Sequence, residues 1–103
     1  MKKDIVDHIA IVVKDIKDSI IFYTTKFQCL EIYSDSTWAI LQFENIKLSL
    51  VKENEHPAHI AFIDDKVIYD SKSVTHRDGT ISKYIKDKDG NSLELITYKC
   101  CKI

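Results

Sequence analysis

Two histidines and a glutamate stand where strands could present them to a common ligand. They are His8 in Asp7-His8-Ile9-Ala10-Ile11, His59 in Ala58-His59-Ile60-Ala61-Phe62, and Glu94 in Ser92-Leu93-Glu94-Leu95. Two imidazoles and one carboxylate suit Zn2+, Fe2+, Mn2+, Co2+ or Ni2+ and leave coordination positions open for water or substrate. Such an ion can polarise a bound pair of oxygens and stabilise an enolate or alkoxide. The plainer alternative is that each histidine is a hydrogen-bonding strand residue and Glu94 faces water.

These residues depend on the elements that carry them. Residues 5 to 13 alternate as a strand, with Ile9, Ile11 and Val13 opposite His8, Ala10 and Val12. Asp15 can cap a helix on which Ile16, Ile20, Phe22, Tyr23 and Phe27 recur near the helical period. Strands follow at roughly 29 to 34, 37 to 43 and 46 to 52, and His56-Pro57 opens a second unit with a strand at about 58 to 63. Residues 64 to 73 fit a single helical turn or a loop, and strands at about 80 to 86 and 92 to 98 flank an Asp-Gly turn. The reading is two β-α-β-β-β units, the second with its helix eroded and without obvious sequence identity to the first.

Alternation along these strands separates two faces. Ile9, Ile11, Val13, Leu41, Phe43, Leu48, Leu50, Ile60, Phe62, Leu93 and Leu95 form an apolar set, expected to pack on the helix layer. The opposite set is mixed and holds His8, Trp38, Gln42, Lys47, Ser49, His59, Tyr84, Lys86 and Glu94, as suits a cup for a small molecule. Periodicity puts the three candidate ligands on one face; it does not bring them together.

Asp7 to Ile11, His56 to Phe62 and Asp87-Lys88-Asp89-Gly90-Asn91-Ser92-Leu93-Glu94-Leu95, taken in order, resemble the three anchor motifs of the vicinal oxygen chelate superfamily. That superfamily comprises glyoxalase, bleomycin-resistance and extradiol dioxygenase proteins. Asp15 to Phe27 is similar to its first-helix segment, and the resemblance covers nearly the whole chain, weakening between about residues 64 and 79. It implies one α+β domain of paired βαβββ modules, about 1–54 and 55–103, forming a curved mixed sheet around a cup, with the second-module helix short or degenerate. It implies that His8, His59 and Glu94 hold one divalent metal ion and that the protein is a homodimer with a small-molecule ligand. The implied function is a metal-dependent enzyme acting on a small oxygen-rich metabolite or antibiotic by bidentate chelation, of lyase, thiol transferase or dioxygenase type. The alternative is a non-catalytic protein that sequesters a small molecule, as the bleomycin-resistance branch does.

Departures narrow the comparison. Ser49 stands where glyoxalase I and methylmalonyl-CoA epimerases carry an acidic or amide ligand, and serine cannot replace a carboxylate base unaided. The ligand trio is closer to fosfomycin-resistance thiol transferases, but Ala10 replaces their threonine and their potassium loop is missing. Extradiol dioxygenases share the trio in longer chains. Tyr84 is a candidate hydrogen-bond donor beside the metal, and Trp38, Gln42, Lys47, Ser49 and Tyr84 are the candidate substrate contacts. His56, His76 and Arg77 are expected at the surface, and Cys29 in ordinary packing.

Composition removes other classes. Net charge is −1 with no basic stripe, which argues against a nucleic-acid partner. Asp4, Asp7 and His8 interrupt any leader-like apolar run, and no stretch approaches the roughly 20 apolar residues of a membrane span. Cys29, Cys100 and Cys101 form no Cys-x-x-Cys motif; reduced thiols in a cytoplasm are expected.

Overall fold

A computed structural model of the chain describes residues 1–66, 73–76 and 79–98. In chain order the elements are β1 (Val6–Val13), α1 (Ile16–Lys26), β2 (Leu30–Ser34), β3 (Trp38–Gln42), β4 (Lys47–Lys52), β5 (His59–Ile63), β6 (Ser73–Thr75), β7 (Ile81–Lys86) and β8 (Ser92–Thr97). Local chemistry accounts for the boundaries. Asp15 caps α1 by accepting the Asp18 backbone N–H at 2.8 Å, satisfying one of the donors a helix start leaves open. Between β7 and β8, Asp87 Oδ1 accepts the N–H groups of Asp89 and Asn91, both at 2.9 Å. Gly90 then turns the chain at φ +87°, a conformation that only glycine adopts freely.

The strands form one eight-stranded mixed sheet in the order β2-β3-β4-β1-β5-β8-β7-β6. Its centre is the antiparallel seam between β1 and β5, where Ile9 faces Ile60. Outward from the seam, β1 runs parallel to β4 and β5 runs parallel to β8. The two modules are thus related by an approximate two-fold axis through the Ile9–Ile60 pair. The first is a full βαβββ unit. The second has four strands; most of its expected short helix, residues 67–72, lies outside the described residues. β6 supplies the remaining strand of the second β-α-β-β-β unit; its three residues are too few to show an alternation in sequence.

The expected core holds in the first module except at Ile9, which is 38% exposed at the seam. Ile16, Ala39, Leu41 and Leu50 are buried, with Ile11, Val13, Ile20, Tyr23, Phe43 and Leu48 packed around them. On α1 the inward stripe is the buried Ile16 with the half-buried Ile20 and Tyr23; Phe22 and Phe27, which fit the same period loosely, are exposed. The second module departs from expectation. The row Leu41, Leu48, Ile9, Ile60, Leu93, Ile85 crosses the sheet on the α1 side. Leu41 is fully buried beneath the helix, whereas Ile60 is 39% and Ile85 41% exposed. Among the described residues, α1 is the only helix, and its packing contacts are with β2, β3 and β4. The α1-side face of β5, β8 and β7 has no described layer over it.

Candidate metal and ligand site

The opposite face is the cup, and the seam builds it. Because β1 and β5 run antiparallel, His8 lies opposite Ala61 and Ala10 lies opposite His59. Each imidazole therefore has an alanine as its cross-strand neighbour, and both alanines are buried at the floor. One strand further, Glu94 on β8 is the partner of Ala61. With only a methyl group between them, His8 and Glu94 close over Ala61: His8 Nε2 is 3.2 Å and His59 Nε2 3.0 Å from Glu94 Oε1. A larger side chain at 61 would occupy that gap. Ala61→Leu is expected to abolish metal uptake and to cost about 1–3 kcal/mol through overpacking, read by elemental analysis and urea unfolding. Undiminished metal uptake in that variant would refute this account of the floor.

Each ring is held from behind. His8 Nδ1 donates to Asp7 Oδ2 at 2.7 Å, and His59 Nδ1 donates to the Pro57 carbonyl at 2.9 Å. A neutral imidazole that donates through Nδ1 carries a lone pair on Nε2. Two such lone pairs would face one carboxylate oxygen unless a cation, a proton or a metal ion, lies among them. The candidate ligand atoms of His8, His59 and Glu94 all lie within 4.8 Å of one another. A tetrahedral ion with bonds of about 2.0–2.1 Å sets its ligands roughly 3.4 Å apart, so the donor set fits a first-row divalent ion with little movement. A carboxylate or carbonyl behind each histidine is the usual support for such ligands.

Electrostatics agree with the geometry. Burial disfavours a charge on His8, but hydrogen bonds and charges of Asp7 and Glu94 outweigh it and push its pKa up to about 9. Burial would raise Glu94, yet hydrogen bonds from His59, His76 and His8 hold it well below the usual carboxylate range. Burial, then the Glu94 charge and hydrogen bond, raise Tyr84 above its ordinary value. The Tyr84 phenol accordingly stays a proton donor, and its ring stands edge-on to His59 at 5.4 Å.

A cavity of about 250 Å3 opens over these groups. Trp38, Ile40, Val51 and Ile96 give it an apolar wall; His8, Lys47, Ser49, His59, Tyr84 and Glu94 give it a polar one. Four of the five expected substrate contacts therefore line the cavity. Gln42 does not: its amide turns to the Phe43 carbonyl at 2.7 Å, so a residue of the right parity is lost to a local hydrogen bond. His56, expected in solvent, is exposed and stands at the cavity wall.

Three residues reach the site from positions that parity does not assign to it: His76, Asp7 and Tyr98. His76 was expected on the surface. Its Nε2 lies 2.6 Å from Ser82 Oγ and 3.4 Å from Glu94 Oε2, on the oxygen turned away from His8 and His59. Arg77 lies outside the described residues. Asp7 has the wrong parity for the cup, but the β1–β5 register shifts between Val6 and His8, and this irregularity brings its carboxylate to the His8 ring. Tyr98, past the end of β8, donates to Asp7 Oδ2 at 2.7 Å. The sequence does carry one signal of this arrangement: His8-Ile9-Ala10 recurs as His59-Ile60-Ala61, and the two-fold axis superposes these tripeptides. The same axis carries Ser49 onto Glu94 and Ile40 onto Tyr84.

No family model matches the chain, and no curated protein matches it in sequence. Solved structures do match. A hypothetical protein from Bacillus halodurans C-125 superposes with a TM-score of 0.77 at 18% identity, over 99% of each chain. A methylmalonyl-CoA epimerase in complex with methylmalonyl-CoA gives 0.74 at 18% identity, over 93% of this chain and 95% of that one. A glyoxalase/bleomycin resistance protein/dioxygenase superfamily member from Vibrio splendidus 12B01 gives 0.66 at 12% identity, over 92% and 99%. The chain has the vicinal oxygen chelate fold. At these identities the likeness concerns architecture alone: paired modules of a mixed sheet curving around a cup. Among the described residues no helix is long and apolar enough to cross a membrane.

Proposed function

We propose that this protein is a divalent-metal-dependent enzyme that binds a small oxygen-rich molecule through two adjacent oxygens. The observation that carries the reading is the convergence of two imidazoles, each anchored through Nδ1, on one oxygen of a buried, ionised Glu94. His8, His59 and Glu94 would hold the ion, whose contribution is to polarise the ligand oxygens and stabilise negative charge developing on them. The chain's own groups orient and protect that centre. Asp7 and the Pro57 carbonyl fix the two rings, and His76 sits against the second oxygen of Glu94, leaving Oε1 to face the histidines. Tyr84 keeps its proton beside the site, where it can donate to an oxyanion. Ser49, at the two-fold equivalent of Glu94, brings no second carboxylate, which distinguishes this site from one with two acids.

Elemental analysis of purified protein, with thermal melts across Zn2+, Mn2+, Co2+, Ni2+ and Fe2+, tests the reading. One ion per chain is expected. At a free ion concentration a hundredfold above Kd the stabilisation is about 2.7 kcal/mol, equivalent to roughly 10–20 °C in Tm for a domain of this size. Protein that takes up no metal and melts at one temperature in every ion would overturn it.

We also propose a homodimer in a reducing cytoplasm. The half-exposed apolar row over β5, β8 and β7 supports self-association, and the free Cys29 thiol suits that compartment. Light scattering should give twice the 11.9 kDa chain mass; a monomer at micromolar concentration would refute the dimer.

A further inference from the structure

We infer that His76 is a positioning residue that holds Glu94 to one-oxygen coordination and so keeps a position on the ion open for an exchangeable ligand. The inference rests on the metal reading above and adds to it how the carboxylate meets the ion. His76 follows β6, in the turn that leads to β7, and its backbone is fixed there. Its N–H donates to the Thr80 carbonyl at 2.8 Å, and its carbonyl accepts the Gly79 N–H at 2.9 Å. The side chain is 22% exposed and lines the cavity. Its Nε2 lies 2.6 Å from Oγ of the fully buried Ser82 and 3.4 Å from Glu94 Oε2.

A carboxylate that binds a metal carries no proton and can only accept hydrogen bonds. The proton between His76 and Glu94 therefore sits on Nε2, which shares it with Ser82 Oγ. The shorter contact aims the ring, and the longer one reaches the carboxylate. The two oxygens of Glu94 are thus divided: His8 and His59 converge on Oε1, at 3.2 and 3.0 Å, and His76 claims Oε2. A carboxylate with both oxygens free can bind an ion through one or through both, and the second mode fills a position that water or a ligand would otherwise take. The first module has neither half of this arrangement. The two-fold axis carries Glu94 onto Ser49, and the turn between β2 and β3, mate of the one that bears His76, reads Asp35-Ser36-Thr37. The histidine accompanies the carboxylate. Tyr84 also hydrogen-bonds Glu94, and that bond is common to every His76 variant.

The test uses Co2+ as the probe, because its visible absorption weakens as its coordination number rises. Cobalt uptake by wild type is measured first by elemental analysis; failure there overturns the metal reading itself and shows before any variant is made. Cobalt-loaded His76→Phe, which keeps a ring and loses the donor, and His76→Gln, which keeps a donor, are then compared with wild type, each verified as folded by circular dichroism. Per bound cobalt, His76→Phe should absorb several-fold less than wild type as Oε2 joins the ion. It should also bind azide, which needs an open or water-filled position, about tenfold less tightly. His76→Gln should keep the wild-type spectrum and azide affinity. Ser82→Ala, which loosens the imidazole without removing it, should fall between, and it carries the test if His76→Phe does not fold. A wild-type spectrum and azide affinity in His76→Phe, or in Ser82→Ala where that variant stands in for it, overturns the inference. So do equal losses in His76→Phe and His76→Gln, which a merely structural role would give, and so does complete loss of cobalt from folded His76→Phe. In each case cobalt held by wild type leaves the metal reading intact.

Discussion

Glu94→Ala protein should emerge from purification without metal, and its melting temperature should not respond to any divalent ion. Glu94 Oε1 is the atom both histidines approach, at 3.2 and 3.0 Å, so its loss removes the anion that draws an ion to the seam as well as one ligand. A weakening of zinc binding on the order of a thousandfold or more is expected, measured against a competing chelator. Truncation also strips a buried, ionised group from His8, His59 and His76, at a cost to the metal-free fold of roughly 3–5 kcal/mol. Glu94→Gln therefore belongs beside it, since the amide keeps the volume and loses the charge. Zinc bound by both variants with wild-type affinity would remove Glu94 from the site.

Metal-free protein should lose stability as pH rises from about 6.5 to 9, while its affinity for metal climbs over the same interval. His8 is lifted in the fold from 6.5 to about 9. A raised pKa means the folded state holds the proton more tightly than the unfolded chain, so its stabilisation is whole below pH 6.5 and disappears as pH passes 9. The shift corresponds to about 3 kcal/mol for this largely buried ring. Glu94, with its pKa depressed, acts at the other end: its stabilisation is present above the ordinary carboxylate range and fails only in strong acid. Metal must displace the His8 proton, so apparent affinity should rise about tenfold per pH unit up to pH 9. Chelator-competition titrations at pH 7 and 9, paired with urea unfolding of metal-free protein, check both slopes. A metal-free stability that is flat from pH 6.5 to 9 would show that His8 is not the protonated partner of Asp7 and Glu94.

Much of this was legible from residues. β1, β3, β4 and β5 are strands where alternation placed them, α1 carries its cap and period, and the three candidate ligands stand on the face to which parity assigned them. What escaped has physical causes. Parity assumes an unbroken strand, and the register shift before His8 brings Asp7 to the ring from a position that alternation assigns elsewhere. His76 reaches Glu94 from beyond the end of the three-residue β6, a placement set by tertiary structure and not by any local period. Gln42 had the right parity and was claimed by its neighbour's carbonyl. The apolar set predicted one continuous core, yet periodicity reports only which residues share a face, and in the second module no described element arrives to cover it.

The pairing of β1 with β5 also acts as a ruler for the chemistry. Sliding one strand by a single residue would turn its histidine to the α1 side, and no apolar pattern would tolerate it. Sliding by two would keep every face correct but move His8 and His59 about 7 Å relative to each other, beyond the 4.8 Å within which the donors now sit. The distance between the two imidazoles is thus encoded in the Ile9–Ile60 contact, two residues that touch no ligand at all.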